Sequence, residues 1–405
     1  NDWKHGPASR TVHASAWFVF SGFSSDKWFR EVAAFRMGTV FAFALLCAMT
    51  ALAGFRAGGA GAAVASSAFL ICMPRVFGHS RLCATDIIAA AMFFAAALAA
   101  WKAACPQKSL KWAAAFGLLF AAAALAKETG ALLLPLFAML MAARRPPRWG
   151  LKILIALAVA AAAYFLLQPA YWAAPASAPR RYFDYILNGG GNESVWTFYF
   201  STRYTFSPPW SYPFVMLGIT TPPLTIALFL AGCAAALRAR NGFAVWLAAC
   251  CLAAPVFFAL PQVPAYDSER LLLPCCGFIA ALAGLGAARV AALVKSWRGH
   301  AFIVLFVLVS VFTLQGARPM EHVYFNQLIG GLPGAVRKGM DIDYWGASVN
   351  REFIAQMNKI IPAGARLSAA GYNSENLVFY QGIGLLRGDI AVVDYEEPAQ
   401  AALIW

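Results

Sequence analysis

Long uncharged runs fill the sequence from about residue 33 to residue 316, and no other feature limits its fold as tightly. A backbone surrounded by hydrocarbon must satisfy its own N–H and C=O groups, so such runs become helices. Roughly 20 apolar residues cross a bilayer. Read this way, the runs fall at 33–55, 59–74, 84–101, 112–126, 129–143, 152–170, 213–236, 242–260, 270–293 and 301–316, about ten spans. The stretch 112–143 reads as two short helices broken at "KETG" or as one long kinked helix. The composition agrees, with 61% hydrophobic and 12% charged residues. An ordinary soluble domain is about 45–50% apolar and about 25% charged. The fold class expected is an all-α polytopic membrane bundle.

The net charge of +14 would suit a nucleic-acid binder, but its placement argues for topology instead. Short basic loops at Arg56, Lys102/Lys108/Lys111, Arg144/Arg145/Arg148/Lys152, Arg238/Arg240 and Lys295/Arg298 hold no Asp or Glu and fall on alternate connections. Lys and Arg near span ends mark the cytoplasmic side, and they also attract anionic lipid. Asp86, Lys127, Glu128, the loop 171–212, "YDSER" and everything after about 317 then lie outside. The expected location is the cytoplasmic (inner) membrane, with the C-terminal domain extracytoplasmic.

Residues 1–32 read as an external amphipathic segment lying along the interface, with no signal peptide and with a preceding first span expected upstream. The helical domain covers 33–317, interrupted by the aromatic, Arg- and Pro-rich loop 171–212. From 318 to 405 the pattern changes: "SVNREFIAQMNKII" has helical periodicity, "ARLSAAG" and "DIAVVDY" read as strands, and "SENLVFYQGIG" as either. This is the start of a small α/β domain that reads as truncated. The nine cysteines sit mostly in apolar runs, and their spacing suggests no zinc site.

Polar groups at the ends of apolar runs carry the functional reading. Asp86 opens the run "DIIAAAMFFAAALAAW", where a carboxylate complements the helix dipole whatever else it does. Arg75, His79 and Arg81 precede it and could be plain headgroup contacts. Lys127 and Glu128 interrupt two runs on the same side, either as a local ion pair or facing a wet cavity. "AYDSERLLLP" places Asp267, Glu269 and Arg270 before another run. A basic external cavity between helices suits a phosphate, with Arg as a bidentate fork and Lys as a point charge. In lipid, that phosphate is most naturally the head of a lipid-linked substrate.

"MPRVFGHSRLCATDIIAAAMFFAAALAAW" followed by "LAKETGALLLP" resembles membrane glycosyltransferases of the GT-C fold, and more closely the family 39 group of protein-mannosyltransferase and aminoarabinose-transferase-like enzymes. "SPPWSYPFVMLGITTPPLTIALFLAG", "ERLLLPCCGFIAALAGLG" and "YFNQLIGGLPGAVRKGMDIDYWGASVNRE" are similar to further stretches of that group, in the same order. The resemblance implies a polyprenyl-phosphate-linked sugar donor and inverting transfer to a protein, lipid or glycan acceptor on the outer face. Carried over, Lys127 and Arg270 would hold the donor phosphate, with Arg75 and Arg203 as weaker candidates. Asp86 would orient the acceptor, the sugar or a divalent cation. The group's leading loop carries an acid ahead of a His-Pro-Pro-like element. His5 and Pro7 match that element, so the acid would lie before Asn1, with Asp2 a lesser candidate for the general base. His5, His79, Glu128, Asp267, Trp210 and Tyr212 would line the substrate pocket. Two other classes stay open: a flippase or transporter of lipid-linked glycans, and a non-catalytic membrane scaffold.

Overall fold

The computed structural model describes residues 7–106, 110–187, 196–294, 297–344, 346, 349–370, 373–393, 399 and 401–404. Helix α1 (Pro7–Phe20) buries Ser9, His13 and Ala16 against the bundle, so the leading segment packs on protein through one face. A 3-10 turn (Ser21–Phe23), a short extended stretch and a π-helical segment (Phe29–Ala33) lead into α2 (Ala34–Ile71), whose helical geometry breaks at Gly59 (φ 83°). A Cβ on Gly54 would meet the Ser66 side chain at 2.3 Å and the Ala62 carbonyl at 2.7 Å. In a straight helix, residues 54 and 66 would be about 18 Å apart. The chain therefore doubles back at Gly59, as the separate runs 33–55 and 59–74 led one to expect. Glycine is the residue that tolerates a positive φ there.

The short α3 (Pro74–His79) leads to α4 (Thr85–Ala103) and then α5 (Lys111–Ala126). "KETG" breaks the next pair: Lys127 is extended, a 3-10 turn spans Glu128–Leu132, and α6 runs Leu133–Arg144. Next come α7 (Trp149–Leu166), the short α8 (Pro169–Ala173) and α9 (Ser177–Leu187). The large loop continues into a hairpin of β1 (Thr197–Tyr199) and β2 (Thr202–Tyr204). The run expected as one span at 213–236 is broken instead, into α10 (Tyr212–Thr220) and α11 (Pro223–Arg238), bent by 117°. Pro222 and Pro223 cause this: the residue before a proline leaves the α region, and Thr221 is extended (φ −93°, ψ 138°). Helices α12 (Gly242–Phe258), α13 (Leu273–Ala292) and α14 (Trp297–Ala317) complete the bundle. Among the described residues five helices are long and apolar enough to cross a membrane, or six if the bent pair counts as one.

Helix α13 is the core element, 94% buried over its apolar window, whereas α14 is 11% buried and presents its apolar surface outward. Small residues let α13 approach its neighbours closely, as in lipid, where packing and not hydrophobicity joins helices. A Cβ on Gly232 of α11 would lie 1.9 Å from the Leu282 carbonyl, and one on Gly286 of α13 would lie 1.9 Å from the Leu228 carbonyl.

Basic residues from three of the expected loops gather at one end. Arg56 stacks 4.8 Å from the Phe243 ring, Arg144 4.2 Å from Trp101 and Lys102 3.9 Å from Trp112. The Lys152 ammonium donates to the Ala103 carbonyl at 2.8 Å. Asp86 occupies the opposite end of the same α4, whose 19 residues span about 28 Å, close to the thickness of a hydrocarbon core.

Past α14 come α15 (Gly331–Arg337), α16 (Arg351–Ile360), β3 (Arg366–Ala370), α17 (Ser374–Gly382), β4 (Ala391–Val393) and β5 (Ala401–Ile404). The strands form a parallel sheet in the order β4-β3-β5. Their core, including Ile354, Met357, Leu367, Leu377 and Ile390, is separate from that of the bundle. The α/β unit sits at the Asp86 end, where Lys27 donates to the Gly382 carbonyl at 2.6 Å and Arg351 stacks 5.0 Å from Trp28.

Replacing Gly286 by Val should force α11 away from α13 and destabilise the bundle by at least the 1–3 kcal/mol typical of overpacking, about. Thermal unfolding in detergent would show it as a lowered midpoint, with Gly316→Val, at a glycine with nothing within 4 Å of its would-be Cβ, as the neutral control.

Candidate functional site

Three helix ends meet above the bundle. Asp86 stands in the first turn of α4, whose N-terminus has no side-chain cap. The loop before it is pinned by His13, whose ring contacts the Phe35 carbonyl at 2.9 Å and the Ala84 carbonyl at 3.4 Å. Lys127 arrives from the break after α5. Gly130 permits that tight turn, since a Cβ there would strike the Ala123 backbone at 2.4 Å. Arg270 starts the 3-10 turn that opens α13.

These residues form one ionic cluster. The Lys127 ammonium donates to Asp86 Oδ1, and Arg270 Nε donates to Asp86 Oδ2 at 3.3 Å. Arg270 Nη1 donates to Asp267 Oδ2 at 2.5 Å. The Asp86 side chain is 1% exposed, but those of Lys127, Arg270 and Asp267 are 10%, 16% and 16% exposed. The carboxylate thus lies at the bottom and the cations at an open edge. Lys127 chooses Asp86, 41 residues away, and the neighbouring Glu128 is exposed. That answers the local-pair reading of "KE".

Behind this cluster lies a second, buried network. Arg75, 1% exposed, donates Nε to the Tyr324 carbonyl at 2.8 Å and Nη1 to Glu269 Oε2 at 2.5 Å and Ser268 Oγ at 3.2 Å. Tyr344 donates its hydroxyl to Glu269 Oε1 at 3.0 Å and lies 2.5 Å from His79 Nε2. Glu321, fully buried, takes Arg81 at 2.7 Å and Arg318 at 3.6 Å. Arg75 therefore braces the segment that carries Arg270 and does not stand at the open edge. Burial lowers His79 from the ordinary histidine value of 6.5 to about 3 and His322 to about 4, so both rings stay neutral. Burial likewise raises Asp341 to about 6; its Oδ2 accepts from Thr197 Oγ1 at 3.1 Å.

The remaining sequence candidates divide. Tyr212 is buried, its hydroxyl 3.4 Å from Thr197 Oγ1, beside Asp341. Arg203 lies on the β-hairpin, stacked 3.4 Å from the Trp196 ring, and contributes no contact to the Asp86 cluster. Trp210 is 71% exposed and packs edge-on against Phe214, in keeping with an interface anchor. Asp2 and His5 lie outside the described residues. Glu269 and Tyr344 lie in the quoted stretches "YDSER" and "YFNQLIGGLPGAVRKGMDIDYWGASVNRE" without a role assigned there, whereas Glu321 had no local signal.

A divalent cation does not suit Asp86. Both its oxygens already accept from cationic side chains, and hard cations take several oxygen ligands. No group of three or more His, Cys, Asp or Glu side chains among the described residues could hold a metal. Two clefts lie outside the cluster, neither of them lined by Asp86, Lys127, Asp267 or Arg270. One of about 640 Å³ is lined by Phe312, Arg318, Tyr324 and Phe325, the last of which packs on Arg75. The other, about 460 Å³, is lined by Glu31, Arg36, Cys83, Ala84 and Asn376 and ends two residues before Asp86.

Two solved structures share this architecture: ArnT from Cupriavidus metallidurans in the apo state, and the same protein bound to undecaprenyl phosphate. Each superposes with a TM-score of 0.58 at 16% sequence identity, covering 93% of this chain and 74% of ArnT. The fold is GT-C. By sequence the chain matches no protein-family model and no curated protein.

Arg75→Met should destabilise the protein by about 3–5 kcal/mol, because it strands a buried carboxylate on Glu269. Adding Glu269→Gln should recover part of the loss, as read by thermal unfolding. The neutral histidines set a pH dependence. Their folded values lie below the unfolded one, so the unfolded chain binds more protons below pH 6.5. Stability present above that pH is lost as pH falls toward 4. Unfolding midpoints should drop over this window, with a shallower slope in His79→Gln.

Proposed function

We propose that this protein is a membrane glycosyltransferase. It moves a sugar from a polyprenyl-phosphate-linked donor to an acceptor on the extracytoplasmic face, with inversion. The observation that carries the reading is the convergence of Lys127 and Arg270 on Asp86. Two cations and one carboxylate from three helix ends meet at one rim of a lipid-embedded bundle, the end opposite its basic loops. An anionic headgroup whose tail remains in lipid reaches such a rim without leaving the membrane. The shared fold of ArnT, solved with bound undecaprenyl phosphate, supports the same class of ligand.

In this reading the Lys127 ammonium and the Arg270 guanidinium hold the donor phosphate. Asp267 accepts from Arg270 Nη1, while Asp86 accepts one hydrogen bond from the Lys127 ammonium and one from the Arg270 guanidinium. The Asp86 carboxylate fixes where both cations point, which is preorganisation and not proton transfer. The acceptor hydroxyl attacks the anomeric carbon from the face opposite the phosphate. The C–O bond breaks with its electron pair passing to the phosphate oxygen, and the acceptor proton passes to a carboxylate of the leading external loop. Asp2 is the candidate for that base within this chain. Held cations stabilise the charge that grows on the leaving phosphate, and held orientation replaces a bimolecular encounter.

Transfer of radiolabelled sugar from a polyprenyl phosphate, with the full-length protein in detergent or vesicles, is the test. Asp86→Asn and Lys127→Ala should each lower turnover by about 10²–10³, the scale of losing one preorganised electrostatic partner. Lys127→Arg should retain part of it. Undiminished transfer by both of the first two variants would sink the assignment, and substrate crossing without covalent transfer would favour a flippase.

A further inference from the structure

Asp267 is the one carboxylate of the cluster that stands at the open edge. Its Oδ2 lies 2.5 Å from Arg270 Nη1, so any anion on that guanidinium has Asp267 as a neighbour. The backbone holds it there independently of ligand. Asp267 and Ser268 both adopt left-handed conformations (φ 55° and 57°), a costly geometry for non-glycine residues that persists only where the surroundings enforce it. Here Arg75 fastens Ser268 Oγ and Glu269, and the Arg270 N–H closes the turn on the Asp267 carbonyl at 3.0 Å. Burial raises the Asp267 carboxyl above its ordinary value, while Arg270 and Lys127 pull it back toward the charged form and Asp86 opposes them.

We propose that Asp267 is a specificity-determining residue that sets the site against a doubly charged phosphate, so that it holds the donor but releases the product. The proposal rests on the glycosyltransferase reading. Asp86 and Asp267 against Lys127 and Arg270 make a cluster with no net charge. The donor is a phosphodiester with one negative charge. When the anomeric C–O bond breaks, its electrons stay on the phosphate, the new C–O bond forms to the acceptor and the acceptor proton leaves. The product is a monoester carrying about −1.5 to −2 at neutral pH. Two cations balanced by Asp86 alone would grip that dianion more tightly than the donor, and product would accumulate on the enzyme. A second carboxylate on the same guanidinium penalises the extra charge selectively. The residue pair Asp267–Arg270 thus resolves a difficulty inherent in phosphate-leaving chemistry, where the leaving group gains charge inside the site built to bind it.

The test uses two probes on the full-length protein in detergent: a short-chain prenyl phosphate, and the methyl ester of the same compound as a singly charged diester. Asp267→Asn should tighten the monoester by about tenfold, the scale of one close like charge, and the diester by much less. Asp267→Glu should keep the wild-type ratio. In turnover assays Asp267→Asn should become more sensitive to added monoester. Equal tightening of both probes, or weakening of both, would overturn the proposal, the latter marking Asp267 as a mere support for Arg270. Binding of neither probe to the wild type would remove the lipid-phosphate reading itself, and this inference with it. An unchanged unfolding midpoint confirms that the Asn variant reports on charge alone.

Discussion

A carboxylate buried at the end of an apolar helix has to find cations, and the geometry of this protein's outer rim follows from that requirement. An isolated ionised group in low dielectric is costly. Asp86 escapes the cost by drawing Lys127 from the break after α5 and Arg270 from the start of α13. Three otherwise independent helix ends become one unit. The cations are more exposed than the carboxylate they satisfy, 10% and 16% against 1%, so the cluster reaches from the buried helix end to the open edge.

The bundle supplies the rigidity this needs. Helix α13 is buried on nearly every face, with glycines where α11 and α2 press closest. Its start is therefore fixed, and Arg270 is fixed with it. The turn that precedes it is held from two further directions, by Arg75 of α3 and by Tyr344 from the segment leading to the α/β unit. Glu269 and Ser268, between Asp267 and Arg270 in sequence, anchor inward on Arg75, while Asp267 and Arg270 stand at the open edge. Adjacent residues in one tight turn thus serve different surroundings: Glu269 joins the buried brace, and Arg270 joins the Asp86 cluster.

Much of the helical domain was legible residue by residue. The runs at 33–55 and 59–74 gave separate spans, and the reversal at Gly59 agrees. Arg56, Lys102, Arg144 and Lys152 were expected on one side, and they gather at one end of the bundle. The break at Pro222–Pro223 has its signal in the sequence, but an unbroken apolar run from 213 to 236 hides it, because hydropathy does not register what a proline does to the residue before it. Asp86, Lys127 and Arg270 were each singled out as charges at the ends of apolar runs. Arg75 was singled out too, but as a phosphate partner. Its burial against Glu269, 194 residues away, could not be read locally.

The order of amino acids alone determined that this chain is a bundle of apolar helices, which way charge is distributed along it, and which ionisable residues are out of place in such a setting. Those are local properties, set by hydrophobicity, period and the cost of charge in lipid. Tertiary structure decided the partnerships: that Lys127 reaches Asp86 and not Glu128, that Arg75 braces while Arg270 faces outward, and that Tyr344 closes the network from behind. Pairings of this kind depend on which helix ends become neighbours, and neighbours are chosen by packing along the whole length of the helices, far from the residues that meet.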